Sequence, residues 1–264
     1  MKVVLFCGGL GLRLREYSDQ VPKPMVPIGH RPIIWHVMKY YAHYGHKDFI
    51  LCLGYKGETI KEYFLNYNEC ISNNFTMSGG SKKVELAGRD IDDWTITFVD
   101  TGMDTLIGQR LKAVESYLDG EDVFLANYSD NLTDFHLPNL TDSFLAQDKV
   151  AGFLCVKPSQ SFHVVDVKPG GDVTGITEVA KADIWLNGGY FILRKEIFKY
   201  MNGGEELVIQ PFQRLIRENK LMACKYDGFW ACMDTFKEKQ RLEDMSAKGG
   251  AAWQVWKEKA KIKN

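Results

Sequence analysis

The sequence predicts an α/β protein built on a doubly wound, mostly parallel sheet, into which a mixed or antiparallel sheet is inserted. Three observations predict it. A continuous apolar run, Val3 to Phe6, feeds straight into a glycine turn, as a strand covered on both faces does. From there to about residue 126, strand-like and helix-like segments alternate, which implies crossover connections between parallel strands. After about Val150, the segments AGFLCV, FHVVDV, DVTGITEV and WLNGGYFIL follow one another with turns such as PGGD and no helix, the pattern of antiparallel or mixed pairing.

Taken in order, the second element is a helix. Pro32 suits a first helical position, Ile33, Val37 and Tyr41 recur at helical spacing, and Gly45 can close the end in a left-handed conformation. The strand FILCL (49–53) comes next, then a helix over about 57–66, a strand WTITFV (94–99), a helix over about 107–118 and a strand DVFLA (122–126). Helical periodicity returns at about 211–218 and from Thr235 onward, and the tail AAWQVWKEKAKIKN is amphipathic and basic. The polar stretch from Asn66 to Asp93 is the one long irregular region, of a length typical of a lid, an interface or a mobile loop. The organisation expected is one domain over 1–264, with a nucleotide-binding half (about 1–149), an acceptor-binding half (about 150–234) and a helical tail (about 235–264).

Composition narrows the function classes. At 264 residues, 45% hydrophobic and 25% charged, the chain has the make-up of a globular enzyme or binding protein, which excludes disorder, collagen and coiled-coil rods. Lys+Arg 33 against Asp+Glu 34 leaves no basic field for nucleic acid or a membrane surface, so neither partner is expected and any anion site must be local. No apolar run approaches the roughly 18 residues of a membrane span, and MKVVLFCGG breaks at glycines too early for a signal peptide. A cytoplasmic location is expected. The six cysteines form no CxxC pair and read as reduced core residues. Three Asn-x-Thr triplets, at Asn74, Asn131 and Asn139, read as chance, and His36, His43 and His46 have no spacing that suggests zinc.

In an open parallel sheet, ligands bind beyond the carboxyl ends of the strands, so the turn after the first strand is the first place to look. There Gly8, Gly9 and Gly11, with Leu10 and Leu12 between and after them, let backbone amides approach an anion, and Arg13 adds a bidentate charge. The turn is neither a dinucleotide fingerprint, since Leu14 stands where a third glycine would, nor a Walker loop, since no GK[ST] follows. In VPKPMVPIGHRP, Lys23 lies between prolines that hold it on a stiff, extended arm. Asp130 and Asp234 each follow a buried apolar segment, a position from which a carboxylate can face a cleft, although either alone more readily reads as a cap or turn residue.

GGLGLRL followed by PKPMVPIG resembles the signature of the sugar-phosphate nucleotidyltransferases. The likeness runs through PIIWHVMKYY, GYKGETIKEYF, TFVDTGMDTLIGQRLKAVESYL, LNGGYFIL and GFWACMDT, and within the family it is greatest to the cytidylyltransferases of glucose 1-phosphate. The resemblance implies the nucleotidyltransferase fold, CTP as the donor, a phosphorylated acceptor, Mg2+ held by Asp130 and Asp234, and a homo-oligomer. It assigns Gly8, Gly9, Gly11 and Arg13 to the triphosphate, Lys23 to the charge around the transferred phosphorus, Gly108 and Arg110 to the neighbourhood of the base, and Glu178 and Asn187 to the sugar. A uridylyl- or thymidylyltransferase of the same fold, and a nucleotide-binding regulatory subunit, are the alternatives.

The acceptor half departs from the family. Leu12 replaces a hydroxyl residue. Glu178 is followed by Val179 and Ala180 instead of Lys-Pro, which removes a cation opposite the acceptor's phosphate, an interaction of about 1.5 to 3 kcal/mol, unless Lys181 replaces it. Phe162 and His163 fill a glycine-containing sugar loop, and Ser129 and Asn131 flank Asp130 where the glucose enzymes have glycines. The expectation is an acceptor other than glucose 1-phosphate: another sugar phosphate or a phosphorylated polyol.

Overall fold

The computed structural model describes residues 1–9, 21–159 and 162–257. Its elements are β1 (Val3–Phe6), α1 (Ile33–His43), β2 (Asp48–Leu53), α2 (Gly57–Leu65), β3 (Phe75–Ser78), β4 (Lys83–Leu86), β5 (Thr95–Asp100), α3 (Ile107–Ala113), β6 (Val123–Asn127), β7 (Asn131–Thr133) and α4 (Leu137–Leu145). There follow β8 (Ala151–Val156), β9 (His163–Val167), β10 (Val173–Glu178), β11 (Leu186–Arg194), α5 (Gln210–Arg217), β12 (Leu221–Tyr226), β13 (Trp230–Cys232) and α6 (Phe236–Ala247).

Seven strands form one sheet in the order β12-β8-β11-β6-β1-β2-β5. Only β11 runs against its neighbours; the other adjacent pairs are parallel. Alternation along β1 divides the interior in two. Val3 and Leu5 pack with Phe49, Leu51 and the α1 residues Ile34, Val37 and Met38. Val4 and Phe6 pack on the opposite face with Leu111 of α3 and Phe212 and Leu215 of α5. Period-two alternation of apolar residues thus makes the sheet doubly wound, and β1 is buried at every position. Gly45 ends the α1 segment with φ +85°, the left-handed value the sequence led us to expect.

The separate antiparallel part is smaller than expected. AGFLCV and WLNGGYFIL become β8 and β11 of the main sheet, because apolar residues on both faces can be buried only between two layers. Only β9 and β10, whose residues are mostly exposed, form a hairpin of their own. Helix α4 was not foreseen, although Leu137, Leu140 and Phe144 are buried at helical spacing. Two of the Asn-x-Thr triplets are absorbed into the fold, with Asn131, Thr133 and Thr141 all buried.

Residues 66–93 are more ordered than expected of an irregular stretch. They carry the exposed β3–β4 hairpin and are tied down through Asp90, which accepts hydrogen bonds from Ser72 and from Tyr67 (2.8 Å) and pairs with Arg31 and Lys39. Burial works against the Asp90 carboxylate, but the Ser72, Tyr67 and Lys39 contacts prevail and hold its pKa below the ordinary value. The C-terminal segment also differs from expectation: α6 ends at Ala247, and 251–257 run as turns. Its Trp253 is nonetheless buried in this domain, stacked on Phe229 and donating Nε1 to His36 Nδ1 at 3.3 Å. His36 in turn lies 3.0 Å through Nε2 from the Ile28 carbonyl, and burial pushes its pKa down to about 4. It is a neutral core histidine. Among the described residues, no helix is long and apolar enough to cross a membrane.

Candidate active site

The carboxyl ends of β1, β2 and β5 meet in glycines: Gly8, Gly54 and Gly102. A Cβ on Gly54 would lie 2.8 Å from the Gly102 carbonyl oxygen and 2.8 Å from both Cα and O of Gly8, so the three chains touch backbone to backbone. Beneath them Arg110, almost fully buried, donates Nη2 to the carbonyls of Gly8 (3.0 Å) and Met103 (3.1 Å), and Nη1 to Leu53 O (3.1 Å) and Thr101 Oγ1 (2.8 Å). Any side chain on Gly8 would overlap that guanidinium, the nearest atom being 2.0 Å from the added carbon. Arg110 therefore holds the turn after β1 in place with four hydrogen bonds to the protein. Gly108, at the start of α3, packs against the backbone at 205–207, with Glu205 O only 2.3 Å from where a Cβ would stand. Leu10, Gly11, Leu12 and Arg13 lie outside the described residues. Sequence reasoning missed Gly54 and Gly102; their position directly after predicted parallel strands was the available signal.

The two aspartates come together through one short strand pair. Strands β7 and β13 are antiparallel with Asn131 opposite Cys232, so Asp130, just before β7, comes beside Asp234, two residues past Cys232. Met233 N donates to Asp130 O at 2.9 Å and fixes the junction. Asp234 immediately precedes Thr235, the N-cap of α6, and its amide donates to Glu238 Oε2 at 2.9 Å within a capping box.

Lys23 occupies the space between these carboxylates. Its Nζ is 2.5 Å from Asp130 Oδ2 and also bonds Asp234 Oδ1. The lysine does not ride on an extended arm as expected: Lys23–Met25 make a single 3-10 turn, because the φ that proline imposes on Pro24 fits a turn as well as an extended chain. Burial works to lower the Lys23 pKa, yet the two carboxylates outweigh it and hold the ammonium charged above its ordinary value. For Asp130 burial is the larger effect; it raises the carboxyl pKa against the opposing pull of Lys23. Two carboxylates share one ammonium. That excess of hard oxygen donors, converging on one point, suits a divalent cation with oxygen ligands.

The neighbours of Asp130 play parts other than those expected. Ser129 is fully buried with φ +66°, and its Oγ donates to Phe6 O at 2.7 Å, so it ties the aspartate's loop to the end of β1. Asn131, also buried, donates to Asp130 Oδ1 at 3.3 Å and accepts from Asn127, an orienting role. Asn187 on β11 donates to Tyr128 OH at 3.2 Å, which couples the strand to the same loop. The remaining expected acceptor residues sit on the β9–β10 hairpin: Phe162 is 70% exposed, His163 pairs with Glu178 across the two strands, and Glu178 makes an exposed ion pair with Lys181 at 2.9 Å. Lys181 thus pairs with Glu178 at the exposed surface of the hairpin. A cleft of about 1020 Å³ lies elsewhere, between Arg31, Trp35, Asp90 and Trp256, and has none of Lys23, Asp130 or Asp234 in its walls.

A sheet with a glycine turn, a lysine and two aspartates gathered at its carboxyl edge is the arrangement of an enzyme that handles nucleoside triphosphates. Residues 2–235 match the nucleotidyl transferase family, and the chain belongs to that family. Within it, the chain is a sugar-phosphate nucleotidyltransferase similar to glucose-1-phosphate cytidylyltransferases. It is 38% identical to that of Salmonella typhimurium over 97% of this chain and 100% of the relative. It is 36% identical to a probable glucose-1-phosphate cytidylyltransferase of Bacillus subtilis, with the same coverage. Among solved structures, a UTP-bound UGPase from Acinetobacter baumannii superposes with a TM-score of 0.68 at 18% identity, covering 93% of this chain and 92% of that one. That likeness establishes the fold.

Proposed function

We propose that this enzyme transfers a cytidylyl group from CTP to a small phosphorylated acceptor other than glucose 1-phosphate, with release of pyrophosphate. The observation that carries the reading is the convergence of Lys23, Asp130 and Asp234 at the carboxyl edge of the sheet, beside the Gly8–Gly9 turn. A phosphate oxygen of the acceptor attacks the α-phosphorus in line, the bond to the bridging oxygen breaks, and pyrophosphate departs with that electron pair. Such a transfer needs positioning and charge neutralisation, with no covalent intermediate on the protein. Gly8 and Gly9 offer backbone amides to the phosphates, and the family resemblance assigns Gly11 and Arg13 to the same triphosphate. Lys23 neutralises charge on the phosphoryl oxygens. Asp130, oriented by Asn131, and Asp234 are the residues that would hold Mg2+, which supplies further charge neutralisation to the phosphates when bound.

The acceptor is set apart by the Glu178-Val179-Ala180 sequence, which lacks the family's lysine, while Lys181 pairs with Glu178 at the surface. The test is pyrophosphate release from CTP, UTP, dTTP, ATP or GTP with Mg2+ and a panel of sugar and polyol phosphates. The expected result is release with CTP and an acceptor other than glucose 1-phosphate; turnover of glucose 1-phosphate at an ordinary enzyme rate, or a preference for another nucleotide, overturns it.

A further inference from the structure

The sheet's carboxyl edge carries a second group of cations, on strands that hold none of the residues assigned above except Asn187. Lys157 directly follows β8, Lys225 lies near the end of β12, and both side chains reach the indole of Trp185, just before β11. The two ammonium groups are 4.4 Å and 4.8 Å from the centroid of that one ring. Trp185 is itself held by Nε1 donating to Asp183 Oδ1 at 2.8 Å. Lys157 donates to Ala182 O at 2.7 Å and lies 3.7 Å from Asp183. Among the described residues, the Lys225 ammonium has no hydrogen-bond acceptor and no carboxylate within ion-pair distance. Two like charges are therefore kept near one ring with a single carboxylate, 89% exposed, to offset them.

The cluster faces the site. Asn187, Cys155 and Lys225 are consecutive partners across β11, β8 and β12, so their side chains share one face of the sheet. Asn187 reaches Tyr128 on the loop that carries Asp130, and Trp230, on the strand leading to Asp234, donates to Gly188 O at 2.9 Å. β8 and β12 are the second and third strands from β6, which places Lys157 and Lys225 roughly 10 and 14 Å along the edge from the Asp130 strand. That spacing sets the two ammonium groups toward the end of the acceptor remote from the phosphate that meets the α-phosphorus beside Lys23.

We propose that Lys157 and Lys225, held on Trp185, form a subsite for a second anionic group of the acceptor, at the end remote from its attacking phosphate. The inference rests on the transferase reading above and names the acceptor class within it: a phosphorylated compound with a further carboxylate or phosphate. A sugar phosphate with no second anionic group leaves one of the two ammonium charges without a counter-charge. The Asp183 carboxyl, held below its ordinary pKa by the Trp185 hydrogen bond, Lys225 and Lys157, stays ionised and limits the excess to one positive charge.

Calorimetric binding and pyrophosphate release test this together, with glucose 1-phosphate, glucuronate 1-phosphate and glucose 1,6-bisphosphate as probes, in the presence of a non-hydrolysable CTP analogue for binding and CTP for turnover. The expected result is binding of at least one doubly anionic probe about tenfold or more tighter than glucose 1-phosphate, reduced by about tenfold to a hundredfold in Lys225→Glu. The carboxylate and bisphosphate arms tell the two sources of charge apart. Lys157→Ala also removes a hydrogen bond to Ala182, so Lys157→Arg accompanies it and should retain the preference. Equal binding of all three probes, or a preference for a doubly anionic probe that survives Lys225→Glu, overturns the subsite. Tight, Lys225-dependent binding without pyrophosphate release from any probe upholds the subsite and counts against cytidylyl transfer to these acceptors, which the wider acceptor panel then decides.

Discussion

Replacing Asp130 by asparagine separates what the site costs in stability from what it does. In the wild-type protein two carboxylates share the Lys23 ammonium, and Asp130, only 22% exposed, has its pKa raised by burial beyond what Lys23 can offset. The folded state therefore holds the Asp130 proton more readily than the unfolded chain does. The stability linked to that group is fully present below the ordinary carboxyl range and lost as pH rises through the raised folded value. Asp130→Asn removes the loss and leaves Lys23 paired one-to-one with Asp234. In chelator at neutral pH, the variant should be as stable as wild type or more stable by about 1 kcal/mol, a Tm gain of about 2–4 °C. With Mg2+ at about a hundred times its Kd, wild type should gain about 2.7 kcal/mol that the variant largely lacks. Turnover should fall by about a hundredfold to a thousandfold or more. Differential scanning fluorimetry in EDTA and in Mg2+, with pyrophosphate release in parallel, reads all three. A variant that is several kcal/mol less stable in EDTA, or that keeps turnover within about tenfold, would refute the reasoning.

Two further substitutions probe the frame around the site. Gly54→Ala forces a carbon to within 2.8 Å of the Gly8 and Gly102 backbones, which no rotamer change relieves; a loss of about 1–3 kcal/mol by denaturant titration should accompany reduced CTP affinity, and unchanged stability would mean that the three chains are not in contact. His36 has a folded pKa of about 4, below its ordinary value, so its contribution is present above the unfolded pKa of about 6.5 and lost as pH falls from there toward 4. Wild type should lose about 3 kcal/mol more than His36→Gln between pH 7 and pH 4; parallel pH profiles for the two would show that His36 is not buried as a neutral ring.

Much of this protein was written locally in its sequence. The apolar run of β1, the helical spacing of Ile33, Val37 and Tyr41, Gly45, the glycine turn, Lys23 and the two aspartates were all legible, because periodicity, turn chemistry and motif spacing act over a few residues. Tertiary structure decided which strands pair. It drew β8, β11 and β12 into the main sheet, turned Ser129 toward β1, committed Arg110 to four protein partners and paired Lys181 with Glu178 at the surface. It also placed Lys23 between Asp130 and Asp234, and set Lys157 and Lys225 on one tryptophan. These outcomes depend on contacts between residues far apart in the chain, settled by which faces can be buried together and which charges find partners there, and no local pattern carries that information.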